Sequence, residues 1–118
     1  MALSIHVDEA EGVTILRLGG KLVFGEERDE LRTCLDRLLG EGKTKIAIDM
    51  KGIIYIDDSI TTLLPALASA KKQGGSIKVV SPSKCVQEVL FPNRLNHVIE
   101  VYDTEEEALA SFKQLKDE

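Results

Sequence analysis

A chain of 118 residues is long enough for one hydrophobic core and too short for two, because domains cluster at about 100 to 150 residues. Hydrophobic residues make up 43% and charged residues 30%, the balance of a soluble globule, which argues against a disordered or membrane-embedded chain. Asp and Glu outnumber Lys and Arg by 20 to 15, the basic residues are scattered, and the net charge of −5 makes nucleic acid an unexpected partner.

From the N-terminus, Met1 to His6 followed by Asp8 and Glu9 lacks the basic start and apolar block of a secretory signal, so the expected location is the cytoplasm. Ser4 to Val7 and Val13 to Leu18 read as an antiparallel hairpin across Asp8 to Gly12, with Gly19 and Gly20 expected to break the second strand. Glu26 to Leu39 places Leu31, Cys34, Leu35, Leu38 and Leu39 at helical spacing; acidic residues crowd its first turn, and Gly40 and Gly42 end it. Lys45 to Met50 gives a short strand, and Ile53 to Ile56 is a second apolar run that stops at Asp57-Asp58-Ser59. That run is the longest uninterrupted aliphatic or aromatic stretch, far below the roughly 18 residues that cross a bilayer, so no membrane association is expected.

A second helix follows through Ile60, Leu63, Leu64, Leu67 and Ala68, terminated by Gly74-Gly75. Ile77 to Val80 reads as a strand, Ser83 to Leu90 as a short helix, Val98 to Val101 as a last strand, and Thr104 to Lys116 as a closing helix with a Thr104/Glu107 capping box. This order predicts an α/β fold over residues 1–118 as a single domain: a mixed sheet of four to five strands, an N-terminal antiparallel hairpin and four helices.

Chemistry-bearing motifs are few. Gly42-Lys43-Thr44 resembles the end of a phosphate-binding loop, but the required earlier glycine is Arg37 and the segment runs from helix to strand. His6 and His97 are isolated, with no ligand or nucleophile spacing, and read as surface or edge residues. Cys34 and Cys85 form no metal or redox pattern and read as reduced core thiols. No cofactor and no metal is expected, although Asp49, Asp57 and Asp58 leave a small-ligand, nucleotide or acidic metal site as the least favoured reading.

The informative segment is Asp57-Asp58-Ser59-Ile60-Thr61-Thr62, where an apolar run ends and a helix begins. Capping needs one or two polar side chains and this stretch carries five, which marks it as a candidate binding surface. Pro65 bears on where the helix starts. With Asp58 as cap it falls beyond the first turn and kinks the helix; with Thr61 or Thr62 as cap it falls inside the first turn and leaves Asp57 to Ile60 as an exposed turn, the favoured arrangement.

These residues resemble the STAS domain family, whose signature is an apolar strand, a turn, a second apolar run and Asp-Ser-Ser-Gly-Leu opening a helix. Here Ile48-Asp49-Met50-Lys51-Gly52-Ile53-Ile54-Tyr55-Ile56-Asp57-Asp58-Ser59 keeps the eight-position step between the two aspartates. Gly20-Lys21-Leu22 looks like the family's Gly-Glu-Leu, Gly74-Gly75 like its helix terminator, and Tyr102 to Leu109 like its closing helix. The resemblance to the anti-sigma-factor antagonists of this family implies a non-enzymatic switch with Ser59 as phosphate acceptor. It implies a partner-binding surface of Asp57, Asp58, Ser59, Ile60, Thr61 and Thr62, joined by Lys21 and Val23. Its implied partners are an anti-sigma factor that is a Ser/Thr kinase of the histidine-kinase-like ATPase type, and a PP2C-type phosphatase. The chain departs from the signature at Asp58 for the first Ser, Ile60 for Gly, Thr61 for Leu, and Val23 where an acidic residue often stands. Asp58 and Ile60 motivate the alternative of a scaffold or regulatory subunit that binds a protein without phosphorylation.

Overall fold

The two residues Glu11 and Gly12 both adopt left-handed backbone angles, the geometry of a tight hairpin turn, and join β1 (Leu3–Ala10) antiparallel to β2 (Val13–Leu22). The computed structural model of the protein describes residues 3–114. Beyond the hairpin, α1 (Glu26–Gly40), β3 (Lys45–Ile56), a 3-10 turn (Asp58–Thr62), α2 (Leu63–Lys72), β4 (Ser76–Val80), α3 (Lys84–Leu90), a 3-10 turn (Leu95–His97), β5 (Val101–Tyr102) and α4 (Glu105–Gln114) follow in order. The strands form one sheet in sequential order, β1-β2-β3-β4-β5, antiparallel between β1 and β2 and parallel elsewhere. The expected mixed α/β architecture is present, with four helices and five strands among the described residues.

Parallel strands covered on both faces read as continuous apolar runs, and β4 is buried along its whole length. On one face, Leu16, Leu18, Ile46, Ile48, Met50, Ile77 and Val79 share a core with α1, α2 and α3. On the other, Val13, Ile15, Ala47 and Val80 pack against Ala108, Leu109 and Phe112 of α4. Lys78 is buried on this second face, where its ammonium donates to Ser111 Oγ at 2.8 Å and lies 4.4 Å from the centre of the Phe112 ring. Arg17 ties α4 to the sheet, contacting Asp8 of β1 at 2.8 Å, Asp49 of β3 at 3.2 Å and Glu105 of α4 at 2.9 Å. The reciprocal Thr104/Glu107 bonds at 3.2 Å form the expected capping box.

Three expected boundaries are corrected. Gly19 and Gly20 do not break β2, which runs on to Leu22; Gly19 faces Gly52 where the strands come close, and a Cβ on Gly52 would sit 2.8 Å from Leu18 O. The runs Lys45 to Met50 and Ile53 to Ile56 are one strand, β3, which carries extra residues opposite the Arg17–Gly19 and Gly20–Lys21 steps of β2. The last strand is Val101–Tyr102, because Val98 and Ile99 complete a 3-10 turn whose N–H groups both donate to Leu95 O. Residues 115 and 116 of the expected closing helix lie outside the described residues.

The α2–β4 connection depends on two glycines. Gly74 takes a left-handed turn, and a Cβ on Gly75 would lie 2.1 Å from Thr44 O, a backbone atom that cannot yield. Gly75→Ala is therefore expected to destabilise the protein by about 3 kcal/mol in urea titrations. Gly40→Ala, where the added carbon meets nothing within 4 Å, is expected to stabilise it by about 0.5 kcal/mol.

Candidate functional site

Asp57 follows β3 in extended conformation and spends both carboxylate oxygens on backbone donors. The Ser59 N–H donates to Oδ1 at 2.8 Å, capping the 3-10 turn, and the Phe24 N–H donates to Oδ2 at 2.9 Å, holding the loop between β2 and α1. Two loops 33 residues apart are thereby joined through one side chain. Asp57 caps the 3-10 turn, while Thr62 stands at the N-cap position of α2, one of the two expected, without a side-chain capping bond. Pro65 accordingly falls in the first turn of α2, where a missing N–H costs little.

The expected exposed turn over Asp57 to Ile60 is only partly exposed. A 3-10 helix has three residues per turn, so Asp58 and Thr61 eclipse each other on the outer ridge, and both face solvent. Ile60 and Leu63 occupy the inner ridge and are fully buried. Ser59, expected to stand open, is drawn in with Ile60: it is 2% exposed, and its Oγ has no solvent access and, among the described residues, no hydrogen-bond partner. The reason is the Ile at position 60, whose side chain joins the core under α1 and α2 and fixes the rotation of the turn. Thr62 is half-buried, and Thr61 Oγ1 donates to Asp58 O at 2.8 Å.

Lys21 is exposed at the end of β2, opposite Tyr55, and Val23 is half-buried with its carbonyl accepting the Arg28 N–H at 3.1 Å. Both therefore belong to the same end of the sheet as the turn. Asp49 does not. It lies some 25 Å back along the strand at about 3.3 Å per residue, on the α4 face with Arg17 and Lys51, so the three aspartates do not converge.

Sequence reasoning missed the aromatic side of this surface. Phe24 is 69% exposed, and the Arg28 guanidinium stacks over its ring at 4.3 Å. Ile54 and Tyr55, 71% and 55% exposed, stand near the same end because the extra residues of β3 interrupt its in-out alternation there. The available signal was Phe24 between Val23 and Gly25 in a chain only 4% aromatic, with Arg28 one helical turn ahead of it. Arg28 also lies 3.6 Å from Asp29, and its Nε is closed to solvent with no partner among the described residues.

Burial alone would raise the pKa of the Asp57 carboxyl. The nearby Ser59 side chain, which does not reach hydrogen-bond geometry, and the Phe24 and Ser59 N–H groups outweigh that effect and hold the carboxyl below its ordinary value.

The STAS domain family profile matches residues 4–108. This chain belongs to the STAS domain family. A candidate anti-sigma factor antagonist of Thermotoga neapolitana is 33% identical over 75 residues, which span 63% of this STAS chain and 66% of the relative. The crystal structure of a Thermotoga maritima protein described in the same terms superposes with a TM-score of 0.81 at 25% identity, covering 92% of this chain and 94% of that one. The anti-sigma factor antagonist SpoIIAA in its unphosphorylated form shares the STAS fold at a TM-score of 0.79 and 19% identity, covering 94% and 97% of the two chains.

Because the folded pKa of Asp57 lies below its unfolded value, its contribution is complete above the unfolded value of about 4 and is lost as pH falls through the folded one. Asp57→Asn keeps one acceptor and is expected to lose about 1 kcal/mol at pH 7 in chemical denaturation, a deficit that narrows below about pH 4. A deficit unchanged from pH 7 to pH 2 would contradict this account. Ser59→Ala removes a buried hydroxyl that gains no bond, and the variant is expected to unfold within about 0.5 kcal/mol of the wild type or above it.

Proposed function

We propose that the protein is a non-catalytic anti-sigma factor antagonist that docks its partner on the end of the sheet where Asp57 joins the two loops. Exposed Phe24, backed by Arg28 and held by Asp57 beside Asp58 and Thr61, is the observation that carries this reading. An exposed aromatic with a stacked guanidinium and a polar rim has the composition of an interface centre. The names of the curated relatives support an anti-sigma factor as the partner; in this reading that factor is a Ser/Thr kinase of the histidine-kinase-like ATPase type, met in the cytoplasm. Lys21, Val23, Asp58, Thr61 and Thr62 surround the contact, whereas Ile60 and Ser59 support it from inside.

Control by phosphate follows from where the hydroxyls stand. Phosphate on Ser59 carries a charge of about −1.5 to −2 and cannot occupy a site closed to solvent. The modified side chain must leave the core, breaking the Ser59 N–H bond to Asp57 and loosening the loop that bears Phe24. Control through Ser59 therefore works by opening the turn, and a PP2C-type phosphatase would restore it. The burial of Ser59 also favours a second reading, docking with no phosphate on Ser59; partner release unchanged in Ser59→Ala selects that version.

The docking claim is tested by calorimetric titration against each kinase-like ATPase encoded beside the gene. Phe24→Ala and Asp58→Lys, neither of which touches the core, are expected to weaken binding about tenfold or more each without lowering Tm. Wild-type affinity in both variants would refute the assigned surface.

A further inference from the structure

Between α1 and α2 runs a groove of about 440 Å³ whose rim includes Thr61 and Thr62 of the 3-10 turn on one side and Arg28 and Arg32 on the other. Arg28 and Arg32 are four residues apart on α1 and so present their guanidiniums on one face. The Arg28 Nε is closed to solvent and has no partner among the described residues, and the guanidinium stacks over Phe24, so the phosphate is met by the outer guanidinium nitrogens. Asp36 also lines the groove and Asp29 sits 3.6 Å from Arg28, so the two cations are partly balanced from their own helix. Of the turn and its cap, Asp57 and Asp58 carry carboxylates; neither lines the groove, the first being held by the Phe24 and Ser59 N–H groups and the second facing solvent.

We infer that Thr61 is a phosphate acceptor of this protein, with Arg28 and Arg32 receiving the phosphate in the groove between α1 and α2. The inference rests on the reading of the turn as a phosphate-controlled docking surface and names the hydroxyl that takes phosphate without unfolding it. Thr61 faces solvent where Ser59 does not, so a kinase can reach its Oγ1 in the closed turn. In the transfer, Thr61 Oγ1 attacks the γ-phosphorus of ATP. The Oγ1–P bond forms as the bond from that phosphorus to the β-phosphate oxygen breaks, ADP leaves, and the hydroxyl proton passes to the kinase base. The hydrogen bond from Thr61 Oγ1 to Asp58 O is lost in exchange, and charge-assisted bonds from planar guanidiniums replace it.

Phosphate at Thr61 and phosphate at Ser59 then have opposite structural consequences. The first draws α1 and α2 together through the groove and puts negative charge on the rim beside Phe24. The second forces a buried residue out. The outer ridge of the turn is thus a place where charge can be added to the docking surface while the fold stays intact.

The test uses the full chain carrying phosphothreonine at 61 or phosphoserine at 59, each installed during synthesis, so no kinase or partner is required. The phosphothreonine protein is expected to melt at or above the unmodified Tm and the phosphoserine protein about 10 °C below it. By phosphorus NMR, the phosphothreonine is expected to titrate below the ordinary second pKa of about 6, returning toward it in the R28Q/R32Q background. A phosphothreonine protein that melts as low as the phosphoserine one, or a phosphate titration that R28Q/R32Q leaves unmoved, would overturn the assignment. Either result would leave the docking claim standing, since that claim fails only on the affinities of the Phe24 and Asp58 variants.

Discussion

The two oxygens of Asp57 each hold a backbone N–H from a different loop, and the working end of the molecule is organised around that pair. One bond starts the 3-10 turn and so sets which residues of Asp58 to Thr62 turn outward. The other fixes Phe24, which would otherwise sit on an unanchored loop before α1. A carboxylate shared between two amides is stronger than either bond alone because the charge is in place for both. It also couples them: a change that frees Ser59 from Asp57 is felt at Phe24 through a single side chain.

That coupling gives the buried Ser59 a meaning beyond its small size. A serine sealed without a partner contributes little to stability, yet it stands behind the one residue pair through which the rim is ordered. The apolar inner ridge of Ile60 and Leu63 keeps it closed, and the energy of that closure comes from the core shared with α1 and α2 rather than from the hydroxyl. The docking surface is therefore an extension of the core, with Asp58, Thr61 and Phe24 outermost. Arg17 performs the matching task on the opposite face, where three carboxylates from three elements hold α4 against the sheet.

Most of the architecture was legible because the apolar spacing is strong where helices and strands are long. The stripe from Leu31 to Leu39, the Thr104/Glu107 box and the Gly74-Gly75 stop each reflect a local rule that the folded chain obeys. Local rules failed where tertiary contact decides. Gly19-Gly20 and Lys51-Gly52 look like breaks, yet both lie within strands where β2 and β3 pair, and at Gly52 the approach leaves no room for a Cβ against Leu18 O. Thr62 does stand at the start of α2, but the 3-10 turn before it has no periodic signature, and only the fold reveals that Asp57 caps that turn and reaches both loops. Burial of Ser59 depends on a neighbour's packing, and the Phe24–Arg28 stack depends on a loop conformation, so neither has a periodic signature.

The additional residues in β3 impose a length constraint of their own. Along this strand the register against β2 slips twice, and after those slips Asp57 arrives at the right height and on the right side to meet Phe24 and Ser59. Losing or gaining one residue between Asp49 and Asp57 would rotate everything downstream by half a strand period, exchanging inside for outside. Side chains along that stretch can thus be exchanged far more freely than its number of residues can change. Insertions and deletions belong instead at sites such as the Glu11-Gly12 hairpin tip, which open onto solvent.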